Sequence, residues 1–444
     1  MSAKPYLFPE NKHVLCEQEL AAYEIEAIDA REILDSRGNP TIEVQVRTKG
    51  GASARASVPS GRSVGTYEAV ELRDGGERYH GMGVLKAVAN VKKIIQRKLK
   101  GADVRNQESI DEVMLQTDGT DNKSVLGSNA ILGVSIACAK AASMAEEKPF
   151  YAYIGGVDAR LLPVPFMNII NGGKHAGNPL DFQEHMLIPL GAKSFSESLR
   201  IGAEVYQELR SILEKTYGRN AVNVGDEGGF TPPIRESSEA FSMIMKAVEA
   251  AGYTKECFLG LDVAASSLCK GKNKYSIGGK LLSKEELIRR CESLSNEFPV
   301  ISIEDPLEED DFEGFAHMTK EMGIQIVGDD IFATNIKRLK IGIEKRAANS
   351  LLWKVNQVGT LTEALRTADM AKRNGYSVQV SHRSGDTEDT FVADLSVSIS
   401  AGQIKTGAPC RGERTAKYNR LLQIEEELGS RAVFSNKLSY TKAR

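Results

Sequence analysis

The chain of 444 residues has no excess of either charge: 57 lysines and arginines stand against 60 aspartates and glutamates, for a net charge of -3 and a pI near 6.2. That excludes the basic footprint by which nucleic-acid-binding proteins engage phosphate backbones. No apolar run approaches the roughly 20 residues that a bilayer span needs. The cysteines (Cys16, Cys138, Cys257, Cys269, Cys291 and Cys410) are scattered and form no CxxC pair. They read as reduced thiols of a cytoplasmic protein, not as a disulfide framework. The opening MSAKPYLFPENKHVLCEQEL has neither an apolar signal core nor an arginine bias, so no secretory or transit peptide is expected. The glycine-rich stretch Ser60-Gly61-Arg62-Ser63-Val64-Gly65 lacks the GK[ST] of a nucleotide-binding P-loop.

What is there is a chain too long for one ordinary core, so a barrel-sized unit and a smaller one are expected. Residues 1–22 read as an appendage, with Pro5 and Pro9 opposing regular structure. Residues 23–155 read as an α+β domain. The alternation in EIEAIDAREILDSRGNPTIEVQVRTKGGASARASVPS predicts two or three antiparallel strands. Helical periodicity follows in VLKAVANVKKIIQRKL and SNAILGVSIACAKAASMA. The Gly- and Pro-bearing YIGGVDARLLPVP marks the boundary, and residues 156–444 form the second unit.

That second unit carries the strongest pattern. Five apolar runs end abruptly in ionisable residues: PVISI at Glu304, GIQIV at Asp329, SLLW at Lys354, YSVQVS at His382 and AGQI at Lys405. The polar tips are spaced by 25, 25, 28 and 23 residues, the length of a buried strand, a helix and two loops. Parallel barrel strands at that spacing deliver all five tips to one rim, where barrel enzymes keep their catalytic residues. An earlier run, CFLGLD, ends on Asp262.

Three carboxylates at matching strand ends, Asp262, Glu304 and Asp329, suit a hard six-coordinate cation such as Mg²⁺. No Cys/His set rivals them, which argues against zinc. Lys354 and Lys405 share the rim, and a lysine near other cations is driven toward its neutral, basic form. His382-Arg383-Ser384 offers a cationic fork and a hydroxyl for phosphate or carboxylate. Glu184 and Glu227 supply further acids. A divalent metal, a lysine base and opposing acids point to proton abstraction beside a carboxylate. Glu308-Glu309-Asp310-Asp311 reads as a solvated helix start, and His13, His80 and His317 as structural or surface residues.

The strings DSRGNPT, VPSG, NGGKHAGN, NVGDEGGF, SIEDP, KVNQVGT, SHRSGDTEDT and GQIKTGAPCRGER, in this order from about Ile25 to about Phe434, resemble those of the enolases. The resemblance implies an α/β fold: an N-terminal α+β capping domain followed by a modified (β/α)8 barrel that opens ββαα. It implies a cytoplasmic, homodimeric enzyme of glycolysis and gluconeogenesis. Its reaction would be the reversible dehydration of 2-phosphoglycerate to phosphoenolpyruvate with two Mg²⁺ per site. Carried over by motif, Asp262, Glu304 and Asp329 hold the first Mg²⁺, and Ser63 ligates the second. Lys354 takes the C2 proton and Glu227 protonates the departing hydroxyl, with Glu184 and His175 on that side. His382, Arg383, Ser384 and Lys405 bind substrate, with Glu304 and Asp329 beside it.

The chain departs from the pattern in places. Arg62 and Val64 stand where the family loop reads SGAST, which keeps a second reading in view: an enolase-derived protein with little turnover in a binding or structural role. Trp353 replaces a leucine beside Lys354, and strand alternation points it into the barrel–helix layer. His185 replaces an aromatic, Ser267 a glutamate, and Asp386 shortens the glutamate of SHRSGET.

Overall fold

The structure, a computed structural model, describes residues 21–62 and 65–440. The expectations for residues 1–20, Ser63 and Val64 lie outside these residues. Three antiparallel strands, Ile25–Leu34, Pro40–Thr48 and Ser53–Ser57, form a sheet in that order. Alternation drives it: Ile42, Val44 and Val46 are buried, while Glu43 and Gln45 between them are only partly covered. The sheet packs against the helix Ser128–Ala145. By length and composition that helix would cross a membrane, but it is buried along most of its length as the core helix of this unit. The DSRGN stretch is the turn joining the first two strands. Asp35 Oδ1 accepts the backbone N–H of Arg37 at 2.8 Å and of Asn39 at 2.9 Å, an Asx-type turn.

Eight strands close into a barrel: Val164–Asn171, Glu184–Ile188, Phe258–Asp262, Val300–Glu304, Gln325–Gly328, Ser350–Trp353, Ser377–Ser381 and Gly402–Lys405. The second strand runs antiparallel to both neighbours, and every other neighbouring pair is parallel. Two helices, Phe195–Tyr217 and Ser237–Ala251, follow it, so the barrel opens ββαα. The reversal has a chemical consequence. Glu184 begins its strand, yet it lies opposite Asp262 and Asn171, which end theirs.

Helices return between strands from defined caps. Ser283 and Glu286 form a reciprocal capping box on Lys284–Glu297, and Thr360 Oγ1 accepts from Glu363 N at the start of Leu361–Arg373. At the end of the barrel away from Glu184, Val164, Phe166, Met186 and Ile188 form an apolar cluster against which Phe434 and Leu438 pack. The site therefore sits at the polar mouth of a barrel whose other end is plugged.

Candidate active site

The C-terminal strand ends bring Asp262, Glu304, Asp329, Lys354, His382, Arg383, Ser384 and Lys405 to one small polar cleft of about 30 Å³. His175, Glu184 and Glu227 line the same cleft. Ser63 lies outside the described residues. Glu227 is carried by a tight loop between Val224 and Phe230, which pair with each other, and Phe230 also pairs with Ile170. The loop needs glycine next to the acid: Gly228 has φ +88°, and a Cβ there would stand 2.9 Å from the Cys410 carbonyl oxygen.

The lysines are embedded among the acids. Lys405 Nζ lies 2.7 Å from Glu304, 3.1 Å from Glu184 and 3.5 Å from Asp262. Lys354 Nζ pairs with Asp329 Oδ2 at 2.5 Å, and Gln357 Nε2 donates to Asp329 Oδ1 at 2.8 Å. Burial and the neighbouring Asp262 push Glu304 up to about 8. Burial and Glu227 push Glu184 well above the usual carboxylate range. Lys354 differs from the sequence expectation. Burial disfavours its charge, but the Asp329 carboxylate outweighs that and holds its pKa above the ordinary lysine value.

Asp262 and Glu304 are buried with Asp329 beside them, the raised Glu304 marks a place short of positive charge, and the donors are all oxygen. Asp262, Glu304 and Asp329 therefore fit a hard divalent cation. They are not the tightest acidic groupings. Among the described residues, ligand atoms lie within 4.8 Å of one another in His175/Glu184/Glu227 and in Asp305/Asp329/Asp330. The triad is looser, with Lys405 between Glu304 and Asp262 and Lys354 against Asp329.

Glu227 is surrounded by donors. Asn168 Nδ2 donates to its Oε2 at 2.9 Å, His175 Nδ1 is 3.5 Å from Oε1, and His382 Nε2 is 3.4 Å from Oε1. The tautomer of His382 follows from its other side. Arg414 Nη1, which only donates, meets Nδ1 at 2.6 Å, so the ring proton sits on Nε2 and faces Glu227. Burial, reinforced by the Arg414 charge, pushes His382 down to about 4. At neutral pH the ring is neutral, its Nε2 facing Glu227 without a well-formed hydrogen bond. Burial alone would raise Glu227, but His175 and His382 hold it well below the usual range.

At the third side, Arg383 forks onto Glu68 (2.8 and 3.2 Å), and Gly61 lies so close that a Cβ there would be 1.9 Å from Arg383 Nη2. Arg62 is not aimed at the acids that suit a metal. Its guanidinium pairs with Asp226 Oδ2 at 3.1 Å and donates to the Lys174 carbonyl, and its backbone N–H donates to Ser384 Oγ at 2.9 Å. It clips the loops that carry Glu227 and His175.

Two family models divide nearly all of this between them: "Enolase, N-terminal domain" matches residues 25–154, and "Enolase, C-terminal TIM barrel domain" matches residues 159–443. The chain belongs to the enolase family. The enolase of Methanocaldococcus jannaschii is 58% identical over 407 residues, covering 92% of this chain and 96% of that relative. The enolase of Pyrococcus furiosus is 57% identical over 420 residues, covering 94% and 97%. The enzyme is thus a phosphopyruvate hydratase, a carbon–oxygen lyase, with the metal dependence that the enolase family implies.

The enolase resemblance left several residues without a role that the structure brings to the site. Arg37, from the DSRGN turn, donates to Ser384 Oγ at 3.3 Å and to the Ser60 carbonyl at 3.1 Å. Gln183 donates to Asp262 Oδ2 at 3.1 Å, Asn168 holds Glu227, and the fully buried Arg414 ties together the carbonyls of Asp226, Arg383 and Ser384. For Asn168 the signal was present, a polar residue inside an apolar strand run; Gln183 sits just before its strand. Asp386 pairs with the buried Lys417 at 3.0 Å and serves the framework. The acidic run needs correcting. Asp311 caps the helix Phe312–Met322, but Glu309 accepts from Thr66 Oγ1 at 2.6 Å and Asp310 from Tyr67 Oη at 2.8 Å. It therefore binds the returning arm of the glycine-rich loop and is not merely solvated. His80 and His317 are exposed.

Trp353 is fully buried and donates Nε1–H to the Ala364 carbonyl at 2.7 Å, on the helix side of the barrel. His185 also faces that layer, edge-on to Phe241 at 5.0 Å. Neither ring nitrogen has a well-formed hydrogen bond, and a weak backbone contact at Ile170 does little against burial, which pushes its pKa down to about 3. The unfolded chain takes a proton near pH 6.5 that the folded ring refuses, so stability falls as pH drops below 6.5. His185→Phe is expected to stabilise the protein, with the gain at pH 5 exceeding that at pH 8 by about 2 kcal/mol. Denaturant midpoints at the two pH values check this, and an equal gain at both contradicts it.

Proposed function

We propose that this enolase dehydrates 2-phosphoglycerate to phosphoenolpyruvate with Lys354 as base and Glu227 as acid. The observation that carries the reading is the position of the two groups around the closed barrel. The strand leading to Lys354 is the sixth of eight, diametrically opposite the second, which begins at Glu184. Glu227 lies beside Glu184. A substrate in the cleft has the lysine on one face and the acids on the other, the arrangement for removing a C2 proton from one side and a C3 hydroxyl from the other.

Lys354 first gives up its ammonium proton, which a divalent cation held by Asp329 would favour, and the neutral amine then takes the C2 proton. The electron pair left at C2 forms the C2–C3 double bond as the C3–O bond breaks. Glu227, oriented by Asn168 and facing the Nε2–H of His382, must first take up a proton from solvent, which it then delivers to the departing hydroxide, and water leaves. Arg383 and Ser384 bind the phosphate, and His175, Glu184 and Lys405 complete the contacts. Asp262, Glu304 and Asp329 would hold one Mg²⁺ and Ser63 a second, and the bound ions would supply the positive charge that acidifies the C2 proton.

The reading extends to a cytoplasmic homodimer serving glycolysis and gluconeogenesis, with the division between domains at residues 155/156. The test is phosphoenolpyruvate formation from 2-phosphoglycerate in Mg²⁺, then in excess chelator. Turnover that stops on chelation and returns with Mg²⁺ is expected; a chelator-resistant rate contradicts the metal assignment.

A further inference from the structure

Two buried residues that the reaction scheme does not use close a ring around Lys354. Thr334 Oγ1 accepts the backbone N–H of Lys354 at 3.0 Å and donates to Gln357 Oε1 at 2.7 Å. Gln357 Nε2 donates to Asp329 Oδ1 at 2.8 Å, and Asp329 Oδ2 takes the Lys354 ammonium at 2.5 Å. The circuit thus runs from the lysine's backbone to its own side chain through one proposed metal ligand.

Every orientation in the ring is determined. The Asp329 carboxylate only accepts, so the Gln357 N–H₂ faces it; the Gln357 Oε1 is then left to accept the Thr334 hydroxyl proton. Both residues are essentially inaccessible to solvent, at 0% and 1% exposure. Thr334 is held at φ +50°, the left-handed region, which a β-branched residue enters only where the surroundings impose it.

The same short segment after Lys354 reaches further. The Gln357 carbonyl accepts from Ala69 N at 2.8 Å. Asn356 Nδ2 donates to the Pro59 carbonyl at 3.3 Å, and Asn356 Oδ1 accepts from Arg383 Nη1 at 3.1 Å. Both arms of the glycine-rich stretch and Arg383 are therefore anchored on residues adjacent to the ring.

We propose that Thr334 and Gln357 are positioning residues that set Asp329 and Lys354 relative to each other through this closed hydrogen-bonded ring. The inference rests on the reading of Lys354 as base and Asp329 as metal ligand. Partners that orient metal-binding carboxylates change metal affinity by about 10- to 100-fold when removed, and small displacements of a reacting group cost comparable factors in rate.

The test uses Thr334→Val, Thr334→Ser and Gln357→Met in the full chain. Mg²⁺ affinity is read by calorimetry without turnover, and kcat, KM and the C2-deuterium isotope effect are measured with 2-phosphoglycerate. Gln357→Met is expected to weaken Mg²⁺ binding about 10-fold or more and to lower kcat about 10-fold or more, with KM little changed and a larger isotope effect. Thr334→Val should move kcat and the isotope effect in the same direction, and Thr334→Ser, which keeps the hydroxyl, should restore both. Native Mg²⁺ affinity and isotope effect in folded Gln357→Met would overturn the inference, whether or not Thr334→Val folds. Lys354→Ala alongside separates the two levels. If it retains turnover, the base assignment fails; if it is inactive while the ring variants match the parent, only the positioning inference falls.

Discussion

Lys354→Ala is expected to lower kcat by about 10⁴-fold, the upper range for a positioned acid–base group, with the fold intact. The strand before it is anchored by Leu351 and Trp353, both fully buried, and not by the lysine. Asp329 loses its ammonium but keeps the Gln357 amide and the backbone N–H that it donates to Asp305. KM should change little, because the residues proposed to bind phosphate and carboxylate lie elsewhere in the cleft. A variant with a native melting profile and undiminished kcat would remove Lys354 from the chemistry.

Lys405→Met should act mainly on stability. The ammonium sits among Glu184, Asp262 and Glu304, all nearly inaccessible to solvent. Removing one partner of a buried ionic group leaves uncompensated charge, at a cost of about 3–5 kcal/mol. The sign with pH follows from the acids. Lys405 lowers the pKa values of Glu184 and Glu304, which burial already raises. Without it they rise further above their unfolded values, so the penalty grows as pH climbs through the range between unfolded and folded pKa. The loss should be larger at pH 8 than at pH 5, and Mg²⁺ should offset part of it. Denaturant midpoints at both pH values, with and without Mg²⁺, check this. A loss under about 1 kcal/mol that ignores pH would mean that the acids carry no net charge to balance.

The barrel was legible because its strands are buried on both faces, so each reads as an unbroken apolar run and its tip as an abrupt change to charge. That is how Glu304, Asp329, Lys354, His382 and Lys405 stood out at regular spacing. Glu227 and His175 lie on loops with no such frame: Glu227 stood out only as an acid set among glycines, and the resemblance to enolases pointed to His175. The hairpin Lys274–Ile277/Lys280–Ser283 went unread although its Gly278-Gly279 turn is a hairpin signal. Each strand is only four residues long, so the alternation that buries Tyr275 and Ile277 is too brief to register. Arg37 and Arg414 were illegible for a different reason. Each reaches Ser384 from a distant part of the chain, and charged residues in polar strings carry no mark of a destination. Lys354 reads in the sequence as a lysine among cations, whereas its nearest charged partner in the structure is Asp329.

The most direct test of the central claim is exchange of the C2 hydrogen of 2-phosphoglycerate with solvent deuterium, followed by NMR in Mg²⁺ for the parent enzyme and Lys354→Ala. The account predicts exchange with the parent and none above background with the variant. Exchange by Lys354→Ala at the parent rate would place the base elsewhere and contradict it.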